Sequence, residues 1–218
     1  MSERFRIAID GPSGAGKSTV AKQVAARLGI EYIDTGAMYR AVGLKMLRLG
    51  IAMEENEELQ KMLDDTDVDF EKERIYLDGE DVSDLIRTQE ISKAASDCSA
   101  FAIVREKLVE LQRAMGERKS IIMDGRDIGT VVLKDSKQKF YLTATAEERA
   151  MRRYLELREK GSAEGYEQVL EDVIKRDYND SHRDVSPLRQ AEDAVLIDST
   201  NMTVEQVVDF IIESVTSA

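Results

Sequence analysis

One eight-residue pattern limits the possible folds of this chain more than any other feature. Residues 11–18 read GPSGAGKS, which fits the spacing G-x-x-x-x-G-K-[ST]. The pattern follows a short apolar run at 5–10 and leads into a segment, 17–28, whose apolar residues have helical spacing. Glycines in such a turn let backbone N–H groups converge on phosphate oxygens, and the helix points its positive end at the same place. The sequence therefore predicts a strand, a phosphate-binding loop and a helix, in that order.

The side chains of this loop indicate what it binds. A lysine at the position of Lys17 can reach the β- and γ-phosphates of a nucleoside triphosphate, and the hydroxyl of Ser18 can bind Mg²⁺. We therefore predict that Lys17 is catalytic, that Ser18 is a metal ligand and that Mg²⁺ is the cofactor. The predicted triphosphate-binding residues are Gly11, Pro12, Ser13, Gly14, Ala15, Gly16, Lys17, Ser18 and Thr19.

Apolar strands alternate with amphipathic helices along most of the chain, which is typical of a parallel sheet covered on both faces. We predict one long helix over 89–115. The segment 68–82 differs, because turn signals divide it into short strands of antiparallel type. A local hairpin in an alternating α/β chain suggests an insert. The strands predicted for the main sheet are 5–10, 31–34, 120–124, 138–144 and 194–198.

Charge and cysteine content exclude several kinds of partner. The net charge of −12 and the pI of about 4.8 oppose binding to nucleic acid or anionic lipid. No apolar run approaches the roughly 20 residues that a bilayer requires, and the apolar stretch near the start is too short and too charged for a signal peptide. Cys98 is the only cysteine, so no intramolecular disulfide can form. We expect a cytoplasmic protein without a nucleic-acid or membrane partner.

Arginine positions are informative, because a chain this acidic must hold any anionic ligand with a local cationic cluster. Arg40 and Arg126 each follow a predicted strand, and ligands bind such sheets beyond the carboxyl ends of the strands. The loop position of Arg126 after a buried strand favours a functional role. Arg152 and Arg158 belong to a charged run at 146–160, where pairing with glutamates on a solvated helix is the simpler explanation.

The phosphate-binding loop alone does not distinguish a switch, a motor and a kinase. The chain contains neither the N-K-x-D motif of GTPase switches nor the L-S-G-G-Q signature of transporters. The 78–92 and 124–132 segments are more specific, because other nucleotide kinases share only the loop. Together, five segments in order along nearly the whole chain resemble the bacterial cytidylate kinases: GPSGAGKST (11–19), DTGAMYR (34–40), DGEDVSDLIRTQEIS (78–92), DGRDIGTVV (124–132) and RDYNDSHRDVSPL (176–188).

The resemblance implies an enzyme that transfers the γ-phosphoryl group of ATP to CMP or dCMP with Mg²⁺, giving ADP and CDP or dCDP. It implies a P-loop α/β fold with a five-stranded parallel sheet flanked by helices. The P-loop core would comprise 1–57 and 98–218 and carry a helical lid at about 150–165. A monophosphate-binding insert with antiparallel strands would comprise 58–97. The expected partners are these small nucleotides. The resemblance does not decide the oligomeric state, for which a monomer is the default expectation.

The resemblance also gives roles to residues that match the family's motifs. Arg153 resembles a lid arginine that clamps the transferred phosphoryl group, and Asp127 belongs with Arg126 to the family's DGRD signature. Because the acceptor phosphate already carries negative oxygens, Asp127 fits an orienting role better than that of a base. The catalytic residues so implied are Lys17, Arg126, Asp127 and Arg153. The acceptor-binding residues so implied are Thr35, Gly36, Arg40, Arg105, Arg126, Asp127, Arg176, Asp180 and Arg183.

Several alternatives stay open at the level of sequence. Asp124 either holds a water of the metal ion or caps a loop. Thr35 stands where the family commonly has serine, and departures at 179 and 181–182 leave the preference for the deoxy acceptor open. A P-loop kinase for another monophosphate or a metabolite hydroxyl would explain the loop and the lid. A non-catalytic nucleotide-binding regulator would bind ATP without turning it over.

Overall fold

The computed structural model describes residues 5–159 and 161–217, which form eight strands and eight α-helices. The strands are β1 (Arg6–Asp10), β2 (Glu31–Asp34), β3 (Val68–Glu71), β4 (Arg74–Leu77), β5 (Glu80–Asp81), β6 (Ile121–Gly125), β7 (Gln138–Thr143) and β8 (Val195–Asp198). The helices are α1 (Lys17–Leu28), α2 (Thr35–Leu49), α3 (Glu57–Asp64), α4 (Gln89–Cys98), α5 (Ala102–Arg118), α6 (Ala146–Glu159), α7 (Tyr166–His182) and α8 (Val204–Thr216). None of these described helices is both long and apolar enough to cross a membrane.

The main sheet is parallel and has the strand order β2-β6-β1-β7-β8. Its central strand is β1, in which Asp10 lies opposite Gly125 of β6 and opposite Tyr141 of β7. Because the five strands run in one direction, their carboxyl ends form one edge of the sheet. The predicted five-stranded parallel sheet flanked by helices is confirmed, and the phosphate-binding loop and Arg126 both start from this edge.

Helices cover both faces of the main sheet, which explains why its central strand is apolar throughout. Ile7, Ala8 and Ile9 of β1 are fully buried. Side chains alternate in direction along a strand, so Ile9 packs in one apolar cluster with Val208 of α8, whereas Ala8 packs in the other with Leu108 of α5. Burial on both sides produces the near-continuous apolar runs by which the strands are predicted.

The antiparallel strands predicted within 68–82 are confirmed as a separate three-stranded sheet, β3-β4-β5. Phe70 of β3 lies opposite Ile75 of β4, and Val68 lies opposite Leu77. These four side chains are buried in the same apolar cluster as Met46 of α2. The small sheet is therefore anchored on the helix that follows β2, on the side of the molecule that carries the acceptor-side candidates.

The single long helix predicted over 89–115 is wrong, because the structure divides this stretch into α4 and α5. The hydroxyl of Ser99 donates to the carbonyl oxygen of Ser96 at 2.8 Å, and Phe101 has an extended backbone with φ −77° and ψ 128°. Nη1 of Arg105 donates to the carbonyl oxygen of Ser99 at 3.2 Å, across the break. The apolar pattern does not reveal so short an interruption, because the buried positions of α5 continue the helical repeat of those in α4 almost unchanged.

The segment predicted as a lid, at about 150–165, corresponds to most of α6 and the connection to α7, with residue 160 outside the described residues. The two helices pack on each other through Ala150, Leu157, Val169 and Val173, which form a small apolar cluster of their own. This pair of helices is thus held together by its own contacts, apart from the two clusters that flank the main sheet.

Replacing Gly43 with alanine should lower the free energy of unfolding by about 1–2 kcal/mol, as expected for an overpacked contact between helices. A Cβ at this position of α2 would lie 3.0 Å from the backbone nitrogen of Ala95 and 3.2 Å from Cβ of Ala94, both in α4. The better helix propensity of alanine offsets part of that cost. Urea unfolding measures the change, and Gly165→Ala is the matched control, since a Cβ there meets nothing within 4 Å. Equal stability of Gly43→Ala and the wild type would contradict the close contact.

Candidate active site

The phosphate-binding loop connects the end of β1 to the start of α1, as predicted. Gly11 has a φ of +150°, and a Cβ there would lie 1.9 Å from the carbonyl oxygen of Leu142, so no other residue fits. Gly16 precedes α1 with a left-handed backbone, φ +85°. The first turn of α1, which carries Lys17 and Ser18, therefore opens towards the edge of the sheet with its unpaired N–H groups foremost.

Lys17 is buried, and its Nζ donates to the carbonyl oxygen of Pro12 at 2.8 Å. Burial, and after it the nearby charge of Arg126, lower the pKa of Lys17 to about 7 against the opposite influence of Asp124 and Asp10. The ammonium group is thus held inside the loop by a backbone acceptor in an environment that disfavours its charge. A bound polyphosphate would favour the charged form, because an opposite charge nearby stabilises it.

Ser18 and Asp124 form the part of the site that suits a divalent cation. The Ser18 hydroxyl donates to Oδ2 of Asp124 at 2.9 Å, and the Tyr32 hydroxyl donates to Oδ1 at 2.8 Å. Asp124 is buried, and burial raises the pKa of its carboxyl group. Mg²⁺ binds oxygen ligands, often one or two from the protein with the rest from phosphates and water. A hydroxyl beside a carboxylate at the phosphate-binding loop fits this requirement.

A cavity of about 350 Å³ extends from the phosphate-binding loop across the edge of the main sheet. Residues of β2, α2, α4, α5, β6 and α7, or of the loops beside them, contribute to its walls. Each of the nine acceptor-side residues lines it: Thr35, Gly36, Arg40, Arg105, Arg126, Asp127, Arg176, Asp180 and Arg183. The loop residues that line it are Ser13, Gly14, Gly16, Lys17, Ser18 and Thr19. Gly11, Pro12 and Ala15 belong to the loop but lie outside this lining.

Ion pairs hold Arg40, Arg105 and Arg126 of the cavity in place. Arg105 of α5 forms a buried ion pair with Asp127 through Nη2 and Oδ2, and both side chains are less than a tenth exposed. Nε of Arg126 donates to Oδ2 of Asp180 in α7 at 2.6 Å. Each pair joins two elements that are far apart in the sequence. The loop after β6 is therefore tied to α5 through Asp127 and to α7 through Arg126.

The cavity carries more positive than negative charge. Its lining includes six cationic side chains and four carboxylates. Burial and then the charge of Arg126 lower the pKa of Arg176, and burial and then Arg105 lower that of Arg183. Burial alone would raise the pKa of Asp180, but Arg126 and the neighbouring arginines bring it below its ordinary value. A chain of net charge −12 thus concentrates cations in one place, as an anionic ligand requires.

Some N–H groups of these arginines are buried without a partner among the described residues. They are Nε of Arg40, Nε of Arg105 and Nη2 of Arg183. Arg40 is otherwise paired with Asp34 at 3.0 Å, and Arg183 donates through Nε to the carbonyl oxygen of Ser186 at 2.7 Å. Buried donors normally find acceptors, and these three groups still lack one among the described residues.

Arg153 is not in the lining of the cavity that the nine acceptor-side residues share, although its charge acts on Arg176. It lines a second cavity, of about 470 Å³, together with Gly14, Gly16 and residues of α8. Its Nη1 donates to Oε2 of Glu156 at 2.9 Å. Arg152 lines the same cavity and bonds both Oε1 of Glu148 at 3.0 Å and the carbonyl oxygen of Ser199 at 2.9 Å. Arg152 therefore does more than pair with a glutamate on its own helix, because it also connects that helix to the residue that follows β8.

The sequence reasoning missed three groups of residues at this site. Asp34 caps α2 by accepting from the N–H of Ala37 at 2.8 Å and also pairs with Arg40; its place at the end of a strand was a usable signal. Arg149 is buried, donates to the carbonyl oxygen of Ser13 at 3.0 Å and pairs with Asp177. Its position in a charged run gave no such indication. The third group lines the cavity from α4 and just after it and comprises Ser92, Ala95, Ser96 and Ser99.

Sequence comparison finds a family model and relatives that cover nearly the whole chain. The sequence model of the family described as cytidylate kinase matches residues 7–217. A protein named cytidylate kinase from Caldicellulosiruptor saccharolyticus is 52% identical, covering 97% of this chain and 95% of the relative. One of the same name from Caldanaerobacter subterraneus subsp. tengcongensis is 54% identical, covering 96% and 94%. The Clostridium perfringens protein of that name is 52% identical, covering 96% of each.

Solved structures with a related fold are more distant in sequence. A shikimate kinase from Bacteroides thetaiotaomicron is 14% identical with a TM-score of 0.51, covering 98% of this chain and 99% of that one. An uncharacterized protein from Eubacterium ventriosum is also 14% identical, with a TM-score of 0.53, covering 99% and 100%. At this identity the likeness concerns the fold alone, and it agrees with the parallel sheet and loop described above.

Proposed function

This chain belongs to the cytidylate kinase family, and we propose that it transfers the γ-phosphoryl group of ATP to CMP or dCMP across the cavity described above. The observation that carries the proposal is the continuity of that cavity. Lys17 and Ser18 of the phosphate-binding loop line it together with the arginine-rich acceptor side. A donor and an acceptor that are both anionic can therefore meet in one cationic space.

Phosphoryl transfer depends on alignment and charge compensation more than on covalent participation of the protein. On the donor side, the N–H groups of the loop and Lys17 hold the β- and γ-phosphates. Ser18, and Asp124 through a water, would hold Mg²⁺, which when bound offsets charge on those phosphates. The contact between Ser18 and the buried Asp124 supports the metal-site interpretation of Asp124 over that of a loop cap.

On the acceptor side, the proposal assigns the monophosphate and the sugar to the arginines of the cavity. Arg40 and Arg183 each keep a buried donor free among the described residues, and Arg126 and Arg176 reinforce the positive charge. Arginine suits this role, because its planar fork binds two phosphate oxygens at once. The attacking oxygen belongs to an ionised phosphate, so no strong base is required. Asp127 then serves as an orienter, which agrees with its pairing to Arg105.

The division of the chain follows from the same proposal. The insert at 58–97, which contains the small antiparallel sheet and α4, would close over the acceptor, and the lid at about 150–165 would close over the donor. Arg153 would act from the lid, beside the phosphate-binding loop whose residues share its cavity. Closure would exclude water and protect ATP from hydrolysis. We further propose that the protein acts as a monomer in the cytoplasm, in keeping with its acidic surface and lone cysteine.

Formation of ADP from ATP and Mg²⁺ should depend on the acceptor that is supplied. We expect high turnover with CMP and dCMP, low turnover with UMP, and none with AMP or without an acceptor. The measurement is a coupled ADP assay with all five conditions run in parallel. ADP formation that ignores every monophosphate would contradict the proposal and indicate a metabolite hydroxyl as acceptor. ATP binding without any turnover would instead support a regulatory nucleotide-binding protein.

A further inference from the structure

We propose that Asp10 is a positioning residue for phosphoryl transfer, which fixes the loop carrying Arg126 and Asp127 at the acceptor side of the cavity. Asp10 ends the central strand β1 and is 3% exposed. Its Oδ1 accepts the backbone N–H of Ile128 at 2.8 Å, and its Oδ2 accepts that of Gly129 at 2.7 Å. The inference rests on the proposed function, because Arg126 and Asp127 matter here as acceptor-side residues.

The placement of these two N–H groups explains why one carboxylate can fix the loop. Ile128 and Gly129 begin the π-helical turn Ile128–Val132, whose first N–H groups have no acceptor within the turn itself. They follow Arg126 and Asp127 directly in the chain. Asp10 lies opposite Gly125 in the sheet, so its carboxylate reaches from β1 to the far side of the two functional residues. The loop is thereby held at both of its ends.

Packing leaves the turn little freedom to hold itself in another way. A Cβ on Gly129 would lie 3.2 Å from Oδ2 of Asp10 and 3.3 Å from Cδ of Lys139. A Cβ on Gly125 would lie 2.7 Å from Cδ1 of Ile128. The carboxylate of Asp10 thus lies close to the turn, and the residue it lies against is Gly129.

The charge of Asp10 is maintained against an unfavourable environment. Burial raises the pKa of its carboxyl group to about 6, while the N–H groups of Gly129 and Ile128 oppose that rise and the charge of Asp127 adds to it. Hydrogen bonds to a carboxylate are among the stronger ones in proteins. A carboxylate of this kind satisfies two buried donors at once, whereas asparagine offers one acceptor oxygen and would set its own N–H₂ group against the other donor.

The test compares Asp10→Asn with Gly129→Ala, which disturbs the same contact without changing the carboxylate. Steady-state kinetics should show the KM for CMP raised at least tenfold in Asp10→Asn, and raised in the same direction in Gly129→Ala. The KM for ATP should rise less than the KM for CMP, because the carboxylate bonds the N–H groups of Ile128 and Gly129 directly and reaches Lys17 only through its charge. Asp135→Asn, which changes an exposed carboxylate a few residues further along, should leave both constants at their wild-type values.

The outcomes separate positioning from a purely structural role. A fall in melting temperature with both KM values unchanged, or changed equally, would overturn the proposal for Asp10. A selective rise in the KM for CMP in both variants would support it, even if Asp10→Asn is less stable. Wild-type protein assayed alongside distinguishes the two levels of inference. If the wild type turns over CMP and both variants keep its KM for CMP, only the role of Asp10 is contradicted. If the wild type does not turn over CMP, the proposed function on which that role rests is contradicted.

Discussion

Replacing Lys17 with methionine should lower kcat with CMP by on the order of 10³-fold, the upper range for losing one preorganised charge-stabilising group. Methionine has a similar length and flexibility but no charge, so it fills the loop without offering a donor to the transferred phosphoryl group. Nζ of Lys17 is already held at the loop by the carbonyl oxygen of Pro12. The group is therefore positioned before the substrate arrives, and little reorganisation is needed during the reaction. Single-turnover and steady-state kinetics with CMP measure the effect.

The fold should tolerate this change, because burial disfavours the charge of Lys17. We expect the melting temperature of Lys17→Met to equal or exceed that of the wild type, so that the lost activity is not lost structure. Lys22→Met is the matched control on the same helix, since Lys22 is exposed and its Nζ lies over the Tyr32 ring at 5.6 Å from the centroid. Turnover of Lys17→Met within tenfold of the wild type would remove Lys17 from the catalytic residues.

The parts of the fold that could be predicted are those set by local chemistry and by burial. The spacing of glycines in 11–16 requires a backbone that few other sequences adopt, and the flanking apolar runs place it between a strand and a helix. Burial on both faces makes the parallel strands visible as apolar runs. Arg40 and Arg126 could be brought to one edge in advance, because every strand of a parallel sheet ends there.

The parts that could not be predicted depend on contacts between residues far apart in the chain. Asp10 is the last residue of the predicted strand 5–10, and only the folded sheet brings its carboxylate to the N–H groups of Ile128 and Gly129, more than a hundred residues later. Arg149 looks like another member of a charged helix until its contact with the carbonyl oxygen of Ser13 is seen. Local patterns carry no information on such pairings. The individual roles at the site stay predictions until the substitutions are made.

Replacing Arg105 with methionine should lower the free energy of unfolding by about 3–5 kcal/mol, the usual range for breaking a buried ion pair from one side. The change leaves the carboxylate of Asp127 buried without its closest partner, since the Asp127 side chain is 8% exposed and that of Arg105 is 3% exposed. Urea unfolding at neutral pH measures the loss. Arg48→Met is the matched control, because Arg48 pairs with Glu80 at 2.6 Å on the exposed surface. Exposed pairs contribute little, so the control should change the stability far less.

A second substitution separates the contribution of Arg105 to stability from its contribution to the acceptor site. In Arg105→Met/Asp127→Asn the unpaired carboxylate is gone, and the double variant should be more stable than the sum of the two single effects predicts, by about 1–3 kcal/mol. The KM for CMP should nevertheless stay high in all three variants, because both residues line the acceptor cavity. Recovery of stability together with recovery of CMP affinity would mean that the pair only supports the fold. Recovery of stability without recovery of the KM for CMP would mean that the Arg105–Asp127 pair also takes part in binding the acceptor. The neutral pair would then restore the packing but offer no charged donor to the ligand.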